Sequence, residues 1–264
     1  MAQPVAHSYG KAAVGVHRVE GDRLFSCEVR LIARGEALES SYTAGDNSLV
    51  VATDSMKNFI QREALQFAGE SLEDFLVQTG ERFLGRYGHI EALELRARET
   101  VFARRLGSVL QRLYDDYGVA EIWLYRDGER LERSGVEGLH LIKLSGSSFA
   151  GFVRDEYTTL PEAWDRPLFV HLDVSWHNAD YTRRAARADL RKLLVSTFSD
   201  FASASIQHLV HEMGIRALER FPEIDNIAFR AENRLWDRVE EADGVAVYTD
   251  ARPPFGEIFL SLDR

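Results

Sequence analysis

The order of the periodic segments constrains this chain more than any other feature. Residues 12–33 carry Val14, Val16 and Val19, then Glu20-Gly21-Asp22, then Leu24, Cys27, Val29, Leu31 and Ile32. Two β-rich runs about a cluster of turn residues predict a hairpin. Residues 35–55 read as a more irregular insertion, and a helix is predicted over about 56–67. A second helix follows Ser71, which with Asp74 three residues on has the form of a capped start. Leu72, Phe75, Leu76, Phe83, Leu84 and Tyr87 fall near helical spacing, and Gly88 is placed to end the run. Strand-like stretches come next near 89–103 and 119–132, with Asp127-Gly128 as a turn inside the second.

The pattern then restarts. Strands are predicted near 138–155 and 167–177, helices near 183–194 and 200–220, and strands near 224–232 and 255–262. The order ββ–αα–ββ, met twice, gives an α+β chain of two antiparallel sheets with helices on one face of each. The other face of each sheet must then be wet or meet a partner. The boundary is predicted near Arg133-Ser134-Gly135, dividing the chain into domains 1–135 and 136–264. The halves share no clear sequence identity, so the repeat reads as architectural.

Composition removes several classes of function. The chain has 264 residues, room for two substantial cores, and no window of about eighteen uncharged apolar residues that would span a membrane. The N-terminal stretch lacks the apolar core of a secretory leader, and Leu262-Asp263-Arg264 is not a peroxisomal address, so a cytoplasmic location is expected. With 32 basic against 42 acidic residues, the net charge of −10 argues against nucleic acid as the main partner. It leaves room for a small anion bound by a single arginine. The lone cysteine, Cys27, allows neither an internal disulfide nor a thiolate zinc site, and its apolar surroundings read as core. His208 and His211 share a helical face but lack a third ligand at useful spacing, so no metal is expected.

Several strings then depart from the generic. They are Tyr9-Gly10-Lys11; Ser41-Tyr42-Thr43, Asp46-Asn47-Ser48 and Val51-Ala52-Thr53-Asp54-Ser55; and Gly151-Phe152-Val153-Arg154-Asp155-Glu156-Tyr157-Thr158-Thr159-Leu160 with Trp164-Asp165-Arg166. Ser203-Ala204-Ser205-Ile206-Gln207, the stretch around Asn233, and Val247-Tyr248-Thr249 with Arg252-Pro253-Pro254-Phe255-Gly256 complete the set. In this order they resemble the urate oxidases (uricases), bacterial type. The resemblance implies two tandem tunnelling-fold (T-fold) domains, each antiparallel ββααββ, assembled into a tunnel-shaped homotetramer with active sites at subunit interfaces. It further implies oxidation of urate by O2 and water to 5-hydroxyisourate and hydrogen peroxide, with no cofactor.

Urate is a flat, anionic heterocycle, so its site needs a stacking surface, an arginine fork and amide-type hydrogen bonds. By resemblance Phe149 stacks on the purine, Arg166 grips one edge, and Gln207 with the backbone of Ile206 meets the other. Thr53 and Asp54 of a neighbouring subunit meet the five-membered ring, and Asn233 lies beside the oxygen site. Lys11 pairs with Thr53 as the proton-accepting side. Each residue has a plainer reading when taken alone: Phe149 as core, Arg166 as an ion-pair residue, Gln207 as a solvated helix position, Thr53-Asp54 as a helix start, Lys11 as a surface charge.

One position departs from the family pattern. Many members carry a histidine two residues after the asparagine matched here by Asn233, where this chain has Leu235. Leucine transfers no proton, so the relay is expected to run on Lys11, Thr53 and water, or to use another histidine such as His208. The alternative is a catalytically impaired purine-binding T-fold protein. A zinc-dependent T-fold enzyme acting on pterins is disfavoured by the single cysteine.

Overall fold

The protein's structure, a computed structural model, describes residues 7–264; the first six residues, part of the stretch read above for a leader, lie outside it. Gly21, at φ 60°, turns the chain between β1 (Tyr9–Glu20) and β2 (Arg23–Arg34), the expected hairpin. A 3-10 turn (Glu36–Leu38) and the short helix α1 (Glu39–Thr43) occupy the insertion, anchored by the buried Leu38. Then come α2 (Thr53–Gln66), α3 (Leu72–Arg86), β3 (Ala92–Glu99), the small strands β4 (Phe102–Arg104) and β5 (Leu110–Arg112), β6 (Tyr117–Tyr125) and β7 (Arg130–Lys143). The second half holds β8 (Leu168–Asn178), α4 (Arg187–Asp200), α5 (Ile206–Arg220), β9 (Ile224–Asn233), β10 (Asp237–Ala242), β11 (Val245–Thr249) and β12 (Glu257–Asp263).

Two compact units divide between Ser134 and Gly135, inside β7. In the first, β1, β2, β3 and β6 pair antiparallel in that order. In the second, the order is β7, β8, β9, β12. Each unit is thus a ββααββ T-fold, and period-two alternation sets its faces. Val29, Leu31 and Ala33 of β2 and Leu93, Leu95 and Ala97 of β3 are buried with Phe75, Leu76 and Phe83 of α3. Leu172, Val174 and Trp176 of β8 are buried with Leu209, Val210 and Met213 of α5. Burying each such side chain contributes roughly 1.5–3 kcal/mol, which makes these faces the source of the fold. The opposite faces are charged. Arg30 and Arg34 pair with Glu94 in the first unit, and Arg230 pairs with Glu257 at 2.6 Å and Glu232 at 3.0 Å in the second. Cys27 is core, as expected, and burial pushes its thiol up to about 12.

The two halves correspond residue by residue in places where the sequence showed no identity. Ser71 and Ser205 cap α3 and α5 alike, each hydroxyl accepting from the amide three residues on (Asp74 and His208). Gly80 and Gly214 stand at the ninth position of these helices, where an added Cβ would lie 2.4 Å from Leu124 Cδ1 and 2.5 Å from Leu262 Cδ1. Both glycines let a helix approach its sheet. Arg126 donates to the carbonyls of Leu84, Tyr87 and Ile90; Arg264 donates to those of Leu218, Phe221 and Ile224, the matching positions. Each arginine satisfies carbonyls at a helix C-terminus and complements its dipole. Arg126→Met will therefore lower stability by about 1 kcal/mol, read as a fall of a few degrees in Tm.

The turn expected at Asp127-Gly128 stands between β6 and β7, with Gly128 at φ 97°. Three expectations are corrected. The strand predicted over 138–155 stops at Lys143, because the residues beyond it pair locally in a loop in which Gly146 and Gly151 take positive φ. The helix expected from 183 begins at Arg187, because Ala186 is extended (ψ 115°). Phe201 and Ser205, both extended, separate α4 from α5 where one helix had been expected to begin near 200. The β4–β5 and β10–β11 hairpins escaped notice because their strands are short and almost wholly exposed, without an apolar face.

Candidate active site

The first group of expected site residues lies in the N-terminal unit, at the start of β1 and of α2. Tyr9, Gly10 and Lys11 pair with Ala33, Ile32 and Leu31, and then the register slips before Val14 pairs with Val29. Ala13 takes the extra space at φ 55°, a non-glycine residue in the left-handed region. A bulge of this kind re-aims neighbouring side chains, and Lys11 is the residue before it. Gly10 has no alternative: an added Cβ would fall 1.9 Å from the Leu31 carbonyl oxygen. The Tyr9 hydroxyl accepts from the Val51 amide at 2.7 Å. After Ala52, α2 starts with Thr53, Asp54 and Ser55, whose amides precede the first helical bond, from the Met56 amide to the Ala52 carbonyl. Such amides, with the positive end of the helix dipole, favour an anion.

Asp54 turns its carboxylate to its own helix, accepting from Lys57 Nζ at 2.7 Å and Asn58 Nδ2 at 2.9 Å. The Lys57 hydrogen bond, chiefly, holds this carboxyl below the usual range, with a smaller contribution from the charge of Lys11. Lys11 is thus within electrostatic reach of the α2 start. Asp54 keeps its backbone amide available to a ligand.

The second group lies in the C-terminal unit, where the β7–β8 loop is stitched to the start of α5. Ser148 donates its amide to the Ser203 carbonyl at 2.8 Å, and Ser203 donates to the Gly146 carbonyl at 3.1 Å. Phe149 and Ala163 exchange backbone bonds of 2.7 and 3.0 Å, and the Arg166 amide reaches the Ser147 carbonyl at 2.9 Å. These bonds hold the loop that carries Phe149 and Arg166 to Ser203, three residues before Ile206 and four before Gln207. The Arg166 guanidinium stands 5.6 Å from the Phe149 ring centroid. Burial pushes that guanidinium down from the ordinary arginine range, and its buried Nε has no hydrogen-bond partner among the described residues. A buried donor left unmade costs about 1–3 kcal/mol, so Arg166 is built for an acceptor. Ile206 is buried, and Gln207 beside it is exposed at the first turn of α5.

Asn233 is set by different contacts. It lies opposite Val170 at the end of β9, donates its amide to the Gly256 carbonyl at 2.9 Å, and has a buried side-chain oxygen with no partner among the described residues. Leu235 packs against the C-terminal core. His208, weighed as a substitute relay, sits at the α5 start with Nδ1 3.3 Å from the Ala204 amide and its ring edge-on to Phe201 at 4.7 Å. Sequence reading missed Phe152, which stacks on Phe149 with centroids 4.9 Å apart and planes 15° from parallel. The Gly151 turn just before it, at φ 73°, was the available signal.

The C-terminal group holds an aromatic ring and a guanidinium in the β7–β8 loop and the N-terminus of α5; the N-terminal group holds the start of α2 and a lysine on β1. The sequence pattern that describes uricases matches residues 7–105 and 132–259, nearly all of the described chain. The chain belongs to the uricase family. Among its relatives, the uric acid degradation bifunctional protein of Bacillus sp. strain TB-90 is 39% identical over 260 residues, covering 88% of this chain and 52% of that protein. The chain thus spans about half the length of the bifunctional relatives it matches. The uricase of Halalkalicoccus jeotgali is 36% identical, with 97% of this chain and 98% of that one covered. The crystal structure of the Arthrobacter globiformis uricase superposes with a TM-score of 0.93 at 28% identity, covering 100% of this chain and 96% of that one. That of the Bacillus fastidious uricase gives 0.90 at 36%, covering 97% and 93%.

Proposed function

We propose that this uricase-family chain binds urate and oxidises it with O2 and water to 5-hydroxyisourate and hydrogen peroxide, using neither metal nor flavin. The observation that carries the reading is the unpartnered Arg166 Nε beside the Phe149 ring at the start of α5. Phe149 supplies the stacking plane, Arg166 a planar fork for one edge, and Gln207 with the Ile206 backbone the other. Asn233, with its free amide oxygen, faces the oxygen or water that reacts above the ring. Thr53 and the Asp54 amide receive the five-membered ring. Because Lys11, Thr53 and Asp54 belong to the other unit, the reading takes them from a neighbouring subunit of a homotetramer, with active sites at the interfaces.

The chemistry assigned to the protein is proton transfer and orientation. Lys11 accepts the proton of bound urate through the Thr53 hydroxyl. The resulting dianion is electron-rich enough to pass two electrons to O2, which takes up two protons, one returned from Lys11 through Thr53 and one from solvent, and leaves as hydrogen peroxide. Water then adds to the oxidised ring and yields 5-hydroxyisourate. One urate, one O2 and one water are consumed for each peroxide and each product. Among the described residues no helix is long and apolar enough to cross a membrane. The proposed site of action is the cytoplasm.

Lys11→Met and Thr53→Ala test the assignment. Lys11→Met is expected to lower kcat on the order of 100-fold while urate binding persists, because only the proton path is cut; Thr53→Ala, which also loses a contact to the five-membered ring, is expected to lower kcat by a similar factor and to raise KM. Leu235, packed on the core, favours a second reading in which urate is bound and not consumed. A parent that binds urate saturably without turning it over would select that reading.

A further inference from the structure

We infer that Tyr9 is a positioning residue for turnover: through its hydrogen bond to Val51, it sets Lys11 and Thr53 against each other. The inference rests on the urate oxidase reading and adds a residue to it. Lys11 and Thr53 belong to a strand and a helix joined by a long connection. α2 packs on β1, and the hydroxyl bond adds a directional tie at the ends of those elements that carry Lys11 and Thr53. Tyr9 stands two residues before Lys11 on β1, Val51 stands two residues before Thr53, and the Val51 amide donates to the Tyr9 oxygen at 2.7 Å.

The surroundings make this bond matter. Tyr9 pairs with Ala33 in the β1–β2 ladder, and its ring packs against the N-terminal core, so its hydroxyl is carried on a rigid element. Val51 is buried at 7% exposure, and an amide there left without its acceptor has no water to replace it. Ala52 is extended (ψ 136°) and offers no side-chain cap, so α2 begins without the hydroxyl cap that fixes α3 and α5. The Tyr9 bond takes over that anchoring. Burial pushes the Tyr9 phenol up from its ordinary value, so the group remains a neutral hydroxyl throughout the neutral range. The neighbouring Tyr42 hydroxyl makes a different bond, donating to the Ser8 carbonyl at 3.0 Å from an exposed side chain.

The test compares parent, Tyr9→Phe and Tyr42→Phe by urate kinetics across pH and by amide hydrogen exchange over the segment around Val51. Tyr9→Phe keeps the ring and loses only the acceptor. It is expected to lower kcat about 10-fold, with KM within about twofold of the parent and an altered pH–rate profile. Exchange at Val51 should be faster, and Tyr42→Phe should match the parent in every measurement. Parental kcat and pH profile in Tyr9→Phe would overturn the inference, as would parental exchange at Val51. A parent that consumes no urate would sink the functional reading and the role in turnover with it. Exchange would then still report whether Tyr9 clasps the segment.

Discussion

An Arg166→Lys variant will bind urate on the order of 100-fold more weakly than the parent, a loss of roughly 2–3 kcal/mol. The charge is kept, so the loss reports geometry. Arg166 is half-buried, its guanidinium is pushed down from the ordinary range by that burial, and its Nε has no partner among the described residues. A guanidinium presents parallel donors in a fixed plane, which a flat heterocycle can accept two at a time. An ammonium is a point donor and is more strongly hydrated, so the same partial burial costs it more. Titration of urate binding, with KM measured alongside, reads the effect directly. Unchanged affinity in Arg166→Lys would mean that the guanidinium plane does not meet the ligand.

Gly10→Ala is expected to damage both fold and turnover. The new methyl would lie 1.9 Å from the Leu31 carbonyl oxygen and 2.8 Å from the Ile32 Cα. Both are backbone atoms of the paired strand, so no rotamer change relieves the overlap. β1 must lift from β2, at a cost of about 3 kcal/mol, toward the upper end for overpacking. Lys11 is the next residue, on the near side of the bulge, and moves with the strand. A displacement near 1 Å at a proton-transfer group can cost about 100-fold in rate. Thermal unfolding and kcat should therefore fall together. A folded, fully active Gly10→Ala protein would show that β1 tolerates the shift and that Lys11 is less constrained than its pairing implies.

The parts of the fold legible in sequence are those set by local pattern. The β1–β2 hairpin follows from alternating apolar residues about Gly21, and α3 from Ser71 and its helical spacing. The internal repeat was legible as an order of elements only. Its residue-level form rests on pairs such as Gly80 with Gly214 and Arg126 with Arg264, whose meaning depends on atoms far away in the chain. The loop after Lys143 was misread because Phe149 and Phe152 look like strand residues, while Phe149 pairs with Ala163 and the Ser148 amide donates to the Ser203 carbonyl.

The proposed site was read through family strings rather than through chemistry. Taken singly, Phe149, Arg166 and Gln207 have ordinary structural readings. The bonds that tie the loop of Phe149 and Arg166 to Ser203, just before α5, join residues distant in the chain. The orphaned Arg166 Nε and Asn233 oxygen, and the Tyr9 bond to Val51, are long-range facts that no spacing encodes.

The central claim is that this chain oxidises urate unaided by a metal or flavin. Its most direct test is to treat the purified protein with chelator, confirm the absence of metal and flavin, and follow urate by ultraviolet absorbance while measuring peroxide. Saturable urate loss is expected, with one peroxide formed per urate consumed and a rate that does not respond to added metal. Saturable binding without consumption, or consumption only after a metal is restored, would contradict it.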